Sequence, residues 1–497
     1  MSSLATSFEQ MQRELHDRMS APQRHRLLHG YPMVRLMRPL PGWAFHPFDR
    51  LDPSGNPPLV PDHDRPLIIG VNPHTFCNPK VKGCGFCTFP HEGYAYRPML
   101  RVVDQVRREI GETVLRFPEL GRRRVDAVYF GGGTANLVSS GALKNLCEDL
   151  ASAFDLRGAE LTLEGVPKYF LAHEKRFLAR KDPDSLLDAF SRTHARHRRI
   201  SMGVQTFDSG WLARMGRTAF GNQNEICEVV ESAHKCGFTV SADLLYNLPG
   251  ESMDLALNDV RTAIEIGFDQ ICPYNLVLHK DLGTEWAKDK SMVGSMPDQD
   301  TALANWLSIR AALLEHGYVQ TTLTNFERSP VAQTPQSFAY ERASFDPASY
   351  DAIGFGPGAI STFTEHNRRR AAKWMNCVSS AAYTWSMREQ KRAVGRYFYY
   401  DDIEDLRLLH LTRSFSRLRV SRPPYRAFFG TDPLADFSLH FRVLEEAQLV
   451  QTNEREICLT PKGMFFADAV TGLLSHQRVA ALRIYHFSDD DDDSHMG

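Results

Sequence analysis

Three cysteines stand together in the segment NPHTFCNPKVKGCGFCTFPHEGYAY. Cys77, Cys84 and Cys87 are spaced C-x6-C-x2-C, and the other six of the nine cysteines are scattered. Three thiolates on one loop can bind three irons of a cubane and leave the fourth iron open. The competing use is a structural zinc site, which needs four ligands and usually takes two C-x2-C pairs; His74 or His91 would have to supply the fourth. A chance grouping of inert core cysteines fits less well, because Gly and Pro around them mark a loop.

A cubane with one open iron is what S-adenosylmethionine (SAM) chemistry requires. The amino and carboxylate groups of SAM chelate that iron, and one electron breaks the sulfonium to give a 5'-deoxyadenosyl radical. Phe86, between the last two cysteines, suits shielding of the adenine. Further polar or glycine positions close apolar runs downstream: Gly131, Gly132, Gly133 and Thr134 after VDAVYF, Glu164 ending ELTLE, Gln205 ending RISMGVQ, and Asp243 within FTVSADLL. Arg217 follows in MGRTAF.

The elements that must position these residues alternate. Strand-like runs at 67–71, 125–130, 160–164, 199–205, 238–245 and 269–276 are separated by amphipathic segments such as 99–116, 138–153, 222–236 and 254–267. Parallel strands need such helical crossovers, so the class is α/β, an open (βα)6 partial TIM-type barrel. Sites in that architecture gather at the C-terminal ends of strands, where the polar residues above fall. Residues 1–65 mix helix-like with Pro-rich text and read as an extension that wraps a core. Residues 66–330 form the barrel, 331–399 a connecting segment, 400–480 a C-terminal winged-helix-like domain, and 481–497 an acidic tail. In the C-terminal domain the pattern predicts a helix ending at Leu449, a short strand, a Thr-Pro-Lys-Gly turn and a final helix.

The 497 residues carry 58 Lys and Arg against 60 Asp and Glu, a formal charge of -2. No basic stripe interleaves with aromatics, so no nucleic-acid partner is expected. No apolar stretch reaches 18 residues and the start lacks a signal-peptide layout, so no membrane partner and a cytoplasmic location are expected.

Seven segments in order resemble the radical SAM family of oxygen-independent coproporphyrinogen dehydrogenase (HemN): VYFGGGTANLVSSGALKNL, RRISMGVQTFDSGWLARMGRTAF, VSADLLYNLPGES, CPYNLVLHKDLGTEW, FAYERASFD, YDAIGFGPGAIS and ICLTPKGMFFAD. The resemblance covers roughly residues 66–475. It implies a 4Fe-4S cluster on the three cysteines and a C-terminal domain of HemN type. It further implies that Gly131 to Thr134 contact the amino-acid part of SAM, that Glu164 holds the ribose hydroxyls, and that Gln205, Arg217 and Asp243 complete the SAM site. The Gly356-Pro357-Gly358 turn would close near the substrate. Two departures stand out. The family's usual spacing is C-x3-C-x2-C after a run resembling YxHIPFC, whereas this loop is three residues longer and its approach is IIGVNPHTFC. The His-Asn-x-x-Tyr-Trp motif of related haem chaperones is replaced by SFDPASYDAIG.

HemN-like proteins divide into porphyrinogen decarboxylases, haem chaperones, and enzymes that bind two SAM molecules and deliver a one-carbon unit to an sp2 carbon by methylation or cyclopropanation. The departures point to the third class, with Tyr340 and Glu341 as acid/base residues on the substrate side. The expected partners are a small-molecule substrate, (hetero)aromatic or a natural product, and an electron donor such as flavodoxin or ferredoxin. Oxidative decarboxylation of a porphyrinogen-like substrate is the alternative, and a non-enzymatic haem or cluster carrier is the second.

Overall fold

The structure is a computed structural model that describes residues 7–24, 31–39, 46–48, 58–77, 84–171, 184–279, 282–365, 369–390 and 392–487. The extra residues of the cysteine loop, 78–83, therefore lie outside the described residues, as do most of the acidic tail and parts of the N-terminal extension.

Six apolar runs form the central strands β1 (Leu67–Val71), β2 (Val125–Phe130), β3 (Glu160–Gly165), β4 (His197–Gln205), β5 (Thr239–Tyr246) and β6 (Gln270–Asn275). They lie side by side in that order, all parallel. α1 (Phe8–Ser20), from the extension, packs on the C-terminal domain, and the helices α2 (Tyr96–Arg116), α3 (Ser140–Ala153), α4 (Gln223–Lys235) and α5 (Met253–Ile266) cover the outside of the strands. The long α2 buries Met99, Val102, Val103, Val106 and Ile110, an i, i+3, i+4 stripe turned to the sheet. α4 starts on a capping box between Asn222 and Glu225, and α5 stops at Gly267 in the left-handed region. Strand and helix bounds read from periodicity agree with these to within three residues.

The sheet does not end with the six units. After β6 come α6 (Gln299–Glu315), the antiparallel hairpin β7 (Tyr318–Gln320) and β8 (Phe326–Arg328), and α7 (Ala339–Ser344). The segment 331–399 then supplies β9 (Asp351–Phe355), β10 (Ile360–Glu365), β11 (Arg370–Asn376), α8 (Ser380–Gln390) and β12 (Val394–Tyr399). β9 pairs parallel to β1 on the side away from β2, β10 to β12 continue antiparallel, and the two-residue strand Arg38–Pro39 pairs with β12 at the edge, giving one mixed sheet of 13 strands. It is a partial barrel, open at one side.

A charged knot joins β9 to the core. Asp351 Oδ2 accepts from Arg123 Nη2 at 2.6 Å and Oδ1 from Arg65 Nε at 3.2 Å and from the Thr364 amide at 3.0 Å. All three charged side chains are buried.

The C-terminal domain runs α9 (Ile403–Ser416), β13 (Arg419–Ser421), α10 (Arg422–Phe429), α11 (Ser438–Glu446), β14 (Val450–Thr452), β15 (Glu456–Leu459) and α12 (Ala467–Phe487), with sheet order β13-β15-β14. This helix-strand-helix-helix-hairpin order is a winged-helix arrangement. Two local expectations need correction. α11 ends at Glu446 rather than Leu449. The Thr-Pro-Lys-Gly stretch is a helix start, not a turn: the Thr460 side chain accepts from the Gly463 amide at 2.9 Å and Pro461 opens the helix. No helix among the described residues is long and apolar enough to cross a membrane.

Removing the hub carboxylate strands two buried guanidinium groups. Asp351→Ala is expected to lower stability by about 3–5 kcal/mol, read as a shift of the urea midpoint. A change within 0.5 kcal/mol, the size of a neutral surface substitution, would show that the knot does not join β9 to the barrel.

Candidate functional site

The site lies where the parallel strands end. The Gly131 amide donates to the Val71 carbonyl at 2.9 Å and the Thr134 amide to the Phe76 carbonyl at 3.2 Å, so the turn after β2 lies directly on the approach to the first cysteine. No Cβ fits there. At Gly132 (φ +79°) it would stand 2.9 Å from the Asn72 side chain, and at Gly133 (φ +52°) 2.9 Å from the Thr75 backbone. At Gly131 it would meet Tyr129 at 2.8 Å and a Glu164 carboxylate oxygen at 2.9 Å. The crowding that demands glycine is thus supplied by the chain's own strand ends.

Cys77 belongs to a two-residue strand paired with Glu92–Gly93, and Thr134 Oγ1 donates to its sulfur at 3.5 Å. Burial pushes the Cys77 thiol up to about 11, and the neighbouring Cys87 and Cys84 add to this; Thr134 and Arg217 oppose it. The three sulfurs therefore share one electrostatic neighbourhood. Cys84 and Gly85 both take positive φ, +57° and +77°. Trp286 seals this bend: its amide donates to the Gly85 carbonyl at 3.0 Å, and a Cβ on Gly85 would strike its indole nitrogen at 2.1 Å. Phe86 packs against the same indole, ring centres 5.7 Å apart.

Arg217 crosses the mouth. One Nη donates to Cys84 Sγ at 3.4 Å and the other to the Gly203 carbonyl, while its buried Nε has no hydrogen-bond partner in the chain. Gln205 ends β4 with φ +72° at a register shift in the pairing with β5. A Cβ on Gly203 would lie 2.9 Å from the Gln205 amide nitrogen and 3.3 Å from Arg217, so the two side chains flank one glycine. Non-glycine strain of this kind concentrates at functional sites.

Deeper in the barrel, Glu164 accepts from the Tyr129 hydroxyl at 3.1 Å. Asp243 is pushed up to about 8, first by burial and then by Glu164. Glu341 is raised to about 7 by burial, against hydrogen bonds from Thr322 Oγ1 at 2.7 Å and from the Asn325 amide. Cys272 links the two carboxyls, bonding Asp243 and donating to Asn325 Oδ1 at 2.8 Å. Tyr340 diverges from its neighbour. Its ring lies on Tyr129 with centres 5.1 Å apart, and its hydroxyl packs against Gly70 of β1. Both residues ride on α7, whose first amides are held by Glu160.

The histidines considered as fourth ligands face elsewhere. His74 is fully buried with Nδ1 accepting from the Phe76 amide, and His91 is exposed with Nδ1 on the Phe89 carbonyl. Among the described residues no group of three or more His, Cys, Asp or Glu is gathered as for a single metal ion. Three soft thiols on one loop, with no fourth His, Cys, Asp or Glu gathered beside them among the described residues and a guanidinium Nε without an acceptor in the chain, are the kind of donor set that a cubane with one open iron would take. Sequence reasoning missed Asn72, Trp286, Tyr129, Cys272 and Asn325. Trp286 was visible as the only Phe, Tyr or Trp between Tyr274 and Trp306.

The Gly356–Gly358 turn is also pinned here. Buried Glu109 of α2 accepts from the Gly356 amide at 2.7 Å, the Tyr383 hydroxyl at 2.7 Å and the Asn376 amide at 2.8 Å. Asn72 in turn donates to the Pro357 carbonyl at 3.1 Å.

Comparison with known proteins agrees with this geometry. The radical SAM superfamily pattern matches residues 71–263. The heme chaperone HemW of Lactococcus lactis is 26% identical over 55% of this chain and 65% of its own length. That of Bacillus subtilis is 21% identical over 78% of this chain and 95% of its own. The match with the Buchnera aphidicola (Schizaphis graminum) HemW spans 48% of that protein, so the chain spans less than two thirds of the first two curated relatives. The solved coproporphyrinogen III oxidase (HemN) of Escherichia coli superposes with a TM-score of 0.67 at 21% identity, covering 83% of this chain and 91% of that one. Residues 71–263 match the radical SAM superfamily model, and the chain has the fold of the solved HemN.

Proposed function

We propose that the chain is a radical SAM enzyme in which Cys77, Cys84 and Cys87 ligate a 4Fe-4S cluster and SAM lies across the ends of β2 to β5. The observation that carries this reading is the set of three thiols held at the barrel mouth beside the unpartnered Arg217 Nε. When bound, the cluster and SAM supply one-electron cleavage of a sulfonium to a hydrogen-abstracting radical. The chain's residues orient and exclude water. Arg217 offers a donor to an anionic ligand group, and Glu164, fixed by Tyr129, offers a carboxylate to ribose hydroxyls. Phe86 on Trp286 gives an apolar wall. The Gly131–Gly133 turn and Thr134 edge the amino-acid part, and Gln205 and Asp243 complete the site.

For the reaction we favour transfer of a one-carbon unit from a second SAM to an sp2 carbon of a small aromatic or natural-product substrate, by methylation or cyclopropanation. A proton must leave the carbon that is methylated. Glu341, raised to about 7, can take it near neutral pH, while Tyr340 with Tyr129 forms an aromatic wall. Glu164 and Glu341 both lie close enough to Asp243 to raise its proton affinity. HemN-type oxidative decarboxylation is the competing chemistry, and a haem or cluster carrier the non-enzymatic one.

Iron uptake tests the ligands. Anaerobic reconstitution is expected to give 4Fe-4S absorption that Cys77→Ala, Cys84→Ala or Cys87→Ala removes and Cys147→Ala keeps. One equivalent of zinc with no iron uptake would overturn the cluster.

The raised carboxyls carry a stability signature. Asp243 and Glu341 bind protons more tightly folded than unfolded, so their stabilising contribution is full below about pH 4 and is lost as pH rises through about 7 to 8. Thermal melts of the metal-free protein between pH 5 and 8.5 should fall with pH. Asp243→Asn should flatten that fall by an amount on the order of 2 kcal/mol. An unchanged slope would remove the desolvated carboxyl from the site.

The one-carbon reading requires two SAM molecules per turnover with different fates. 5'-Deoxyadenosine and S-adenosylhomocysteine should appear in near-equal amounts, and SAM bearing a CD3 group should place deuterium in the deoxyadenosine. Deuterium-free deoxyadenosine without S-adenosylhomocysteine would transfer the assignment to decarboxylation.

A further inference from the structure

We infer that the groove between α2 and α8 is the docking face for a small acidic electron-carrier protein that reduces the cluster. The inference rests on the reading that Cys77, Cys84 and Cys87 hold that cluster.

Position is the first argument. Cys77 pairs with Gly93 and Phe76 with Glu92 in a two-strand ladder. The Glu92 carboxylate reaches outward to the start of α8, accepting from the Ser380 amide at 2.7 Å and its hydroxyl at 2.6 Å. Ser380 lines the groove with Pro98, Arg101, Thr384, Trp385 and Arg388. One hydrogen-bonded side chain therefore separates the groove wall from the backbone ladder that carries the first cysteine. Electron transfer between proteins falls off steeply with distance, so a carrier must seat on a face this near.

Surface chemistry is the second. The groove encloses about 390 Å³. Trp385 on its rim is 58% exposed, and Phe89, two residues beyond Cys87, is 56% exposed. They are the only aromatics among the exposed large apolar side chains of the described residues, and exposed apolar groups set beside charge mark contact surfaces.

Charge is the third. Arg97 and Arg101 lie one turn apart on α2, and Arg388 one turn beyond Trp385 on α8. All three are exposed, and none has an ion-pair partner among the described residues. Arg107, further along α2, is by contrast paired with Asp149 at 2.6 Å. Glu389 is the acid on the groove wall. A face with three uncompensated guanidinium groups steers an acidic partner, and transient electron-transfer complexes use small, charge-guided contacts of this kind. One electron leaves the reduced carrier and the cubane gains it; no bond to the chain changes and no proton moves.

The test uses the reconstituted full chain and reduced flavodoxin as the acidic carrier. Both the affinity and the second-order rate of cluster bleaching are measured, with dithionite as a small reductant that needs no docking. Arg101→Glu with Arg388→Glu is expected to slow reduction by flavodoxin and weaken its binding at least tenfold, with dithionite reduction within twofold of wild type. Arg97→Glu should shift both in the same direction, and the Arg101→Lys, Arg388→Lys pair should restore them. Raised salt should slow the wild-type rate and leave the reversed variant nearly unaffected. Flavodoxin affinity and rate unchanged by charge reversal would overturn the docking face alone. A wild-type chain that takes up no iron would overturn the cluster reading beneath it.

Discussion

Everything at the barrel mouth depends on the ends of β1 and β2 approaching so closely that no side chain fits between them. The Gly131 and Thr134 amides bond to carbonyls of Val71 and Phe76, and the glycines between them would clash with Asn72 and Thr75 if they carried a Cβ. The same approach recurs on the other flank of β1. Gly356, at φ +97°, passes the Asn72 carbonyl so tightly that a Cβ would come within 1.9 Å of it. Asn72 is thus clamped from both neighbours, five residues before the first cysteine. Contacts this close leave little room for the Asn72 and Glu164 side chains or the Thr75 backbone to rearrange. A loop that must present three thiols in one geometry gains its rigidity from outside itself.

The second support is electrostatic. Arg217 meets the Gly203 carbonyl and Cys84 together, so the end of β4 and the last part of the cysteine loop share one cation. A buried thiol resists ionisation, as Cys77 does, and a cation beside the sulfurs lowers the cost of the thiolates that iron requires. The carboxyls farther in behave oppositely: packed together and desolvated, they hold protons. One barrel therefore carries an end that favours anions and an interior that favours neutral acids, separated by the width of the strands.

Much of this arrangement was legible in the sequence, because parallel strands buried on both faces read as short apolar runs and their polar closing residues stand out. LIIGV and VDAVYF match β1 and β2 residue for residue. In the C-terminal domain the first helix, the helix before the hairpin and the final helix were readable, whereas β13, α10 and one strand of the hairpin were not. What was hidden shares a cause. β9 to β12 alternate small, polar and aromatic residues, as in AAKWMN, where Lys373 is buried with its Nζ on the Pro32 carbonyl. A buried lysine masks the apolar face that would announce a strand. Asp351 hides β9 similarly, since its partners Arg65 and Arg123 lie hundreds of residues away in the chain. Thr460-Pro461 could be read as either turn or cap, and only the preceding hairpin decides it. The link between Asp243 and Glu341 through Cys272 and Asn325 is tertiary throughout and has no sequence period.

The extension before the barrel, unreadable by itself, has a definite place in the fold. After α1, the side-chain oxygen of Gln23 accepts from the Ala469 amide of α12, while its backbone carbonyl accepts from Asn275 at the end of β6. Asn275 bonds Asn247, and Asn247 bonds Asn305 of α6. Arg24 then touches both the C-terminal domain and the cysteine loop, its amide on Asp468 and its guanidinium on Thr88 Oγ1, the residue after Cys87. The last strand of the barrel, the C-terminal domain and the cysteine loop thus meet at two consecutive residues of the N-terminal segment. Each joint is a hydrogen bond of one to a few kilocalories at most, far weaker than the backbone clamp at Asn72. The mouth therefore has two kinds of support: close contact at Asn72 on the approach to the thiols, and side-chain bonds through Arg24 that tie the residue after Cys87 to the C-terminal domain.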